Sequence, residues 1–362
     1  MGDACAFVVS HRSRRSIPLQ HIQNAATRPI YLYPSSAAFG LKRFAPGLAE
    51  VLDVLGSWIG RTRVKRLCAE DRPKRIFALV GGNGWFLLVV RLMAEATQLP
   101  FDIYLVDDLE DSAALWNRWF LRLIIRRLEG TVLSEAERVF AISNGYVEHL
   151  QHKYGQRAQW LPAPMKMEVF SHRPYSRSSP DVRHIIFVGG VSELYDTALI
   201  EIYRAIVERN ARETDYRLKL LVIASGGTNR LANVASDKAN LETKSALPPH
   251  KLEQLCSESW ATCLPYSFDQ RVKNLVSTSF SWKLSDSYKA GRPILVFGPP
   301  YASLPRYFRE AGLPLCATSP EELRTALDSI EQEDCPELIA RYAQTWQRFH
   351  SPEATMTRIL VD

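Results

Sequence analysis

Short apolar runs that stop at glycine, serine or acid, each followed by a stretch with helical spacing, recur along most of this chain and constrain its fold more than anything else in it. KRIFALVGGNG (74–84) reads as a strand running into glycines, and WFLLVVRLMAEATQLP (85–100) as a helix closed by proline. RPIYLYP (28–34), FDIYLVDDLED (101–111), ERVFAIS (137–143) and AQWLPAP (158–164) read as further strands. SAALWNRWFLRLIIRRLEGTVLSEA (112–136) has the period of one helix, and NGYVEHLQHKYG (144–155) is a helix with a glycine stop. Strands joined by helical crossovers run parallel, so the pattern predicts an α/β fold.

Pro174, Pro180 and a serine run interrupt the period in MKMEVFSHRPYSRSSPDVR (165–183), after which the alternation restarts. HIIFVGG (184–190), RLKLLVIASGG (217–227), ATCLPYS (261–267), PILVFGPP (293–300) and PLCAT (314–318) are strands, separated by helical stretches such as TALIEIYRAIVERNAR (197–212), HKLEQLCSES (250–259) and WKLSDSYKA (282–290). At 362 residues the chain exceeds what one core holds comfortably. Two Rossmann-like domains are expected, 1–165 and 183–335, joined by a linker at 166–182 and followed by a helical segment, 336–362, that could cross back to the first domain. Facing strand ends would make a cleft between them.

Composition is that of an ordinary globular protein, with 46% hydrophobic and 23% charged residues. The six cysteines are scattered, with no paired spacing and no histidine at zinc distance, which argues for reduced thiols in a cytoplasmic protein and against a metal site. No window approaches a membrane span, because WFLLVVRLMAEA is cut by Arg91 and Glu95. Charge is uneven: 21 Lys+Arg face 15 Asp+Glu through Met165, leaving 24 of each in the remainder of the 45 and 39. The excess comes in clusters, HRSRRS (11–16), LKRF (41–44), RTRVKR (61–66) and RPKR (72–75), that suit an anionic partner such as a lipid headgroup or a phosphorylated acceptor. They lack the interleaved stacking aromatics of single-strand binders, which argues against nucleic acid.

Ligands of open parallel sheets collect beyond the carboxyl ends of the strands. That rule selects Gly82 and Asn83, Asp107 and Asp108, Gly189, Gly190 and Ser192, and Tyr266. Neither a dinucleotide fingerprint nor a P-loop is present. Clustered acids at 107–111 suit a hard cation, but Glu110 and Asp111 are accounted for as acids at a helix N-terminus, so no metal is expected. Lys283 and Asp286, three apart on a helix, share one face: either a surface ion pair or a phosphate-binding cation beside an acceptor for a ribose diol.

The segment LPYSFDQRVKNLVSTSFSWKLSDSYKAGRPILVFGPP (264–300) resembles the donor-domain segment of GT-B glycosyltransferases, particularly the family 4-like enzymes. FVGGVSE (187–193) is similar to their first donor-domain strand and loop, and ERVFAISNGYVEHLQHKYG with WLPAP to the end of their acceptor domain. The resemblance spans roughly residues 100 to 330 and implies sugar transfer from a nucleotide-sugar donor, which is a substrate, with no other cofactor. It assigns Lys283 to the donor diphosphate, Asp286 to the ribose and Gly189 and Gly190 to the loop facing the donor phosphates, with Asp107 near an acceptor-side acid or histidine. Together with the strand-end rule, the expected donor site takes in Ser192, Tyr266 and Ser279, Asp107 or Asp108 is the acid–base or acceptor-orienting group, and Gly82 and Asn83 face the acceptor. Retaining members carry a carboxylate eight residues before the position of Asp286; here it is Thr278. The arginine and lysine that often follow the first donor strand are also absent, leaving Lys283 with Arg271 or Lys273. The basic first half suggests a lipid-diphosphate-linked glycan acceptor, as in bacterial surface polysaccharide synthesis at the inner face of the plasma membrane. LWNRWFLRLIIRRLEG (115–130) is either an amphipathic anionic-membrane contact or an inter-strand core helix. An epimerase on the same scaffold and a non-catalytic binding subunit are the competing expectations.

Overall fold

The computed structural model describes residues 74–81, 84–115, 118–165, 167, 171, 181–212, 215–224, 226–235 and 239–360, together with two short paired strands, β1 (Val8–Val9) and β2 (Ile30–Tyr31). Gly82, Asn83, most of the 166–182 linker and the four basic clusters, apart from Lys74 and Arg75, lie outside the described residues. The chain divides into two compact units, Met1–Leu161 and Pro162–Asp362.

In the first unit β3 (Ile76–Val80), β4 (Phe101–Leu105), β5 (Arg138–Ala141) and β6 (Ala158–Trp160) form a parallel sheet in chain order. All five residues of β4 are buried, as expected of a parallel strand covered on both faces. Buried among them is Asp102, which sits between Arg75 and Arg138, each guanidinium 2.7 Å from its Oδ2. The single helix expected over 112–136 is two, Leu109–Leu115 and Trp119–Glu135. Trp119–Glu135 buries Leu121, Ile125, Val132 and Leu133, so its apolar face belongs to the core, while Trp119 and Leu123 remain exposed. Ser143 accepts the Tyr146 N–H to start helix Asn144–Tyr154, and Gly155, at φ 65°, ends it.

The second unit is a six-stranded parallel sheet in the order β12-β11-β10-β7-β8-β9. Its strands are β7 (Val182–Val188), β8 (Arg217–Ile223), β9 (Leu241–Lys244), β10 (Ala261–Pro265), β11 (Ile294–Phe297) and β12 (Cys316–Ala317). From β7 the chain winds outward one way to β8 and β9, then returns to β10 beside β7 and winds the other way. The crossover helices therefore diverge at β7 and β10, which opens a crevice at the carboxyl ends of those two strands. Helix Asp196–Asn210 packs its apolar side, Leu199, Ile202, Tyr203 and Ile206, into the main core with Phe187, Leu220 and Leu295. The last two helices, Pro336–Phe349 and Pro352–Leu360, belong to the second unit. The Tyr342 hydroxyl accepts the Ile294 N–H, and Trp346 Nε1 donates to the Met165 carbonyl. Buried His350 sits between the Ala163 carbonyl and the Tyr307 hydroxyl, 2.8 Å from each.

Candidate functional site

The crevice between β7 and β10 is built from three turns. The first, Gly189 to Tyr195, leaves β7; Gly189 has φ 131°, which a side chain rarely adopts. The second, around Gly227, presses so close that a Cβ there would stand 1.8 Å from the Val191 carbonyl oxygen. Only glycine fits, and the Val191 N–H donates to the Gly226 carbonyl across the same contact, 3.3 Å. The third leaves β10: the Ser267 N–H donates to Leu194, the hydroxyls of Ser267 and Thr197 lie 2.7 Å apart, and the Phe268 N–H donates to Thr197 Oγ1. Each turn is thus held by its neighbours.

Lys283 reaches into this frame from the start of helix Lys283–Ala290. Its chain lies along the face of Gly189, where a Cβ would stand 2.2 Å from Lys283 Cε, and its Nζ lies 4.1 Å from the Tyr195 ring centroid and 5.6 Å from that of Phe187. The half-buried ammonium makes no ion pair with a carboxylate among the described residues. A cation held by rings is attracted by about 0.5–2 kcal/mol, less than a charge-assisted bond to phosphate supplies, so it is poised but not committed. Of the expected neighbours, Gly189 lies against it; Gly190 and Ser192 follow on the same turn, the Ser192 carbonyl accepting the N–H groups of Tyr195 and Asp196.

Other expected donor residues have different placements. Asp286 shares the helix with Lys283 but does not pair with it; partial desolvation raises its carboxyl above the usual range against the pull of Lys289 and Lys283. Tyr266 is 1% exposed, wedged against Gly298, and its hydroxyl donates to the Ser279 carbonyl, which Ser303 Oγ also approaches. Tyr266 and Ser279 therefore brace the wall of the crevice, and the Tyr266 ring is not offered to its interior. Arg271 is drawn onto Asp269, 2.6 Å away, whose carboxyl its side-chain and N–H hydrogen bonds hold down at about 2. Lys273 lies over the Tyr301 ring at 5.1 Å. Thr278 is fully buried, its hydroxyl donating to the Asn274 carbonyl, so no carboxylate stands at that position.

In the first unit, Asp107 follows β4 and keeps part of its surface. Its carbonyl accepts the Tyr146 hydroxyl at 2.9 Å, and its carboxylate lies beside Gly81 at the end of β3. Asp108 corrects the expectation that both acids face a ligand: it is 1% exposed and turned inward. One carboxylate oxygen caps helix Leu109–Leu115 through the Asp111 N–H at 2.7 Å, and the other lies 3.0 Å from His149 Nε2. Burial would raise this acid; the close His149 imidazole, the Asp111 N–H hydrogen bond and nearby Lys153 outweigh it and hold it below the usual range. Glu110 takes Arg122, Arg126 and Lys153 within 3.1 Å, so two arginines of the candidate amphipathic helix are already paired. No group of three or more potential metal ligands occurs among the described residues, and no described helix is long and apolar enough to cross a membrane. The four described cysteines are free.

No protein-family model matches the sequence, and no curated protein is similar to it in sequence. Solved structures are similar in fold. A lipopolysaccharide outer core galactosyltransferase, WaaB in its apo form, superposes with a TM-score of 0.63 at 14% identity, covering 99% of both chains. An α,α-trehalose 6-phosphate synthase from Burkholderia multivorans gives 0.62 at 10% identity over 99% of this chain and 97% of its own. A trehalose-6-phosphate protein from E. coli bound with UDP-2-fluoro glucose gives 0.56 at 12% identity over 96% and 95%. These likenesses span whole chains, and the fold of this protein is the GT-B fold.

Proposed function

We propose that the chain is a glycosyltransferase that takes a sugar from a nucleotide-sugar donor. The observation that carries this reading is Lys283: an ammonium with no carboxylate partner among the described residues, laid over a glycine at the point where the six-stranded sheet reverses its winding. As the bond from sugar to diphosphate breaks, negative charge grows on the leaving phosphate, and a cation already in place stabilises it without reorganisation. The N–H groups at the start of helices Asp196–Asn210 and Lys283–Ala290 add partial positive charge. The reading assigns charge stabilisation to these protein groups rather than to a metal. The neighbours of like fold support it: one is named a galactosyltransferase, and another holds UDP-2-fluoro glucose.

The finer reading is transfer of a hexose to a lipid-diphosphate-linked glycan in surface polysaccharide synthesis, at the inner face of the membrane. The charge excess before Met165 supports an anionic acceptor, and exposed Trp119 and Leu123 beside Arg127 support contact with anionic lipid. Sedimentation with anionic vesicles tests the membrane contact, and failure to co-sediment removes it. Asp107, partly exposed at a strand end, is the proposed acceptor-orienting group. One observation favours a second reading, a binding subunit without turnover: buried Thr278 leaves no carboxylate where retaining enzymes carry one. Incubation with UDP-, GDP- and dTDP-sugars, following release of free nucleotide diphosphate with and without lipid-linked glycans, separates the two. Acceptor-dependent release is expected; binding without release supports the second reading, and interconversion of the donor sugars contradicts both.

A further inference from the structure

The crevice holds three carboxylates where an anion is proposed to bind. Glu193 and Asp196 lie on the turn after β7 and in the first turn of helix Asp196–Asn210, and Asp269 follows β10. Asp269 is committed to Arg271. Asp196 is the more consequential, because it follows directly on Tyr195, the residue whose ring carries the Lys283 ammonium. It is 6% exposed, and its Oδ1 accepts the Thr197 N–H at 2.6 Å. The negative charge is welcome to the helix, whose N-terminus it complements. To a diphosphate it is repulsive.

The protein answers that charge from the next crossover. Arg230, on the short helix Asn229–Val234 after β8, places Nη1 2.6 Å from Asp196 Oδ2. The loop that delivers it is the one whose Gly227 is pressed against Val191, so the guanidinium is brought to the turn by backbone contact. Arg230 remains half exposed, with donors left over beyond the one used on Asp196.

We propose that Arg230 is a positioning residue for the donor diphosphate: by neutralising Asp196 it keeps the crevice electropositive. This rests on the sugar-transfer reading of the same site. It also accounts for the missing basic residues after β7, since a cation from the β8 crossover takes up the charge of the acid there. Sequence inspection alone does not reveal this, because 34 positions separate Arg230 from Asp196.

The test titrates wild type, Arg230→Ala, Asp196→Asn and the double variant by calorimetry with whichever of UDP, GDP or dTDP binds wild type most tightly, and with its uncharged nucleoside. Arg230→Ala should weaken the nucleotide diphosphate about tenfold, or ~1.4 kcal/mol, and leave the nucleoside unchanged. Asp196→Asn should bind as tightly as wild type or more so, and the double variant should recover to within about threefold of wild type. Arg230→Lys, which keeps the charge, should retain affinity and stands in should Arg230→Ala fail to fold; in that case Arg230→Lys binding weakened as for a lost charge overturns the proposal. Equal losses for diphosphate and nucleoside, no loss in Arg230→Ala, or no recovery in the double variant also overturn it. If Lys283→Ala weakens binding while Arg230 variants do not, the sugar-transfer reading stands and this inference falls. If wild type binds none of the three, both fall.

Discussion

Gly189→Ala tests the link between backbone and charge at the crevice. The added Cβ would stand 2.2 Å from Lys283 Cε and 3.2 Å from Nζ, at a residue with φ 131°. Carbon contacts settle near ~3.7 Å, so the lysine must move by about 1.5 Å. Its far end is flexible, and that movement costs little stability. The backbone is less forgiving: a side chain at such a φ costs on the order of 1–3 kcal/mol. The effect on binding follows from distance. An ammonium moved from ~3 Å to ~4.5 Å of a phosphate oxygen loses about 2 kcal/mol at an effective dielectric near 20, roughly a twentyfold loss. Urea unfolding gives the first quantity and calorimetric titration with the nucleotide diphosphate the second. In a Lys283→Ala background the same change should cost stability but almost no further affinity, because the group it displaces is gone. Affinity within threefold of wild type in Gly189→Ala, alongside the expected stability loss, would refute the coupling of Gly189 to Lys283.

Other consequences concern the scaffold. Burial holds His350 neutral and lowers it to about 4 from an ordinary value of 6.5, against the pull of the Ala163 carbonyl. Its unfolded form binds a proton first as pH falls, so the stability it contributes is present above pH 6.5 and is lost between 6.5 and about 4, up to ~3 kcal/mol. The difference in urea midpoint between wild type and His350→Gln should shrink over that window; a pH-independent difference counts against the buried neutral ring. Asp102→Ala removes the buried carboxylate shared by Arg75 and Arg138, of which Arg75 keeps Glu137, and should destabilise the first unit by about 1.5–3 kcal/mol, read by proteolysis of that unit. Ser143→Ala removes the acceptor for the Tyr146 N–H and should cost about 1 kcal/mol by the same measure.

The strands β4, β7, β8, β10 and β11 are legible in the sequence because each carries an apolar run, buried along the whole of β4, β10 and β11 and mainly in the second half of β7 and β8, and their crossover helices carry clear periods. β9 is not, since LETK on the sheet edge has one apolar residue and needs no more. The break at Arg118 hides inside an unbroken helical period, because Trp119, which continues the pattern, is largely exposed. At the site, Lys283 is legible from its place before an apolar strand and from the resemblance. What spacing cannot tell is which way a neighbour points. Asp107 and Asp108 are adjacent and identical in type, yet one keeps its surface and the other caps a helix beside His149. Tyr266 follows a strand as a ligand residue would, but the close approach of Gly298 fixes it in the wall. Arg230 and Asp196 meet only because two crossovers converge.

In the proposed site the ammonium at 283 receives a nucleotide diphosphate where the β7 and β10 crossovers diverge. Calorimetric titration of Lys283→Ala against wild type, with the nucleotide diphosphate that wild type binds best, addresses it directly. Lys283→Ala should lose well over tenfold in affinity with an unchanged urea midpoint; equal affinities for the two proteins would remove Lys283 from the site.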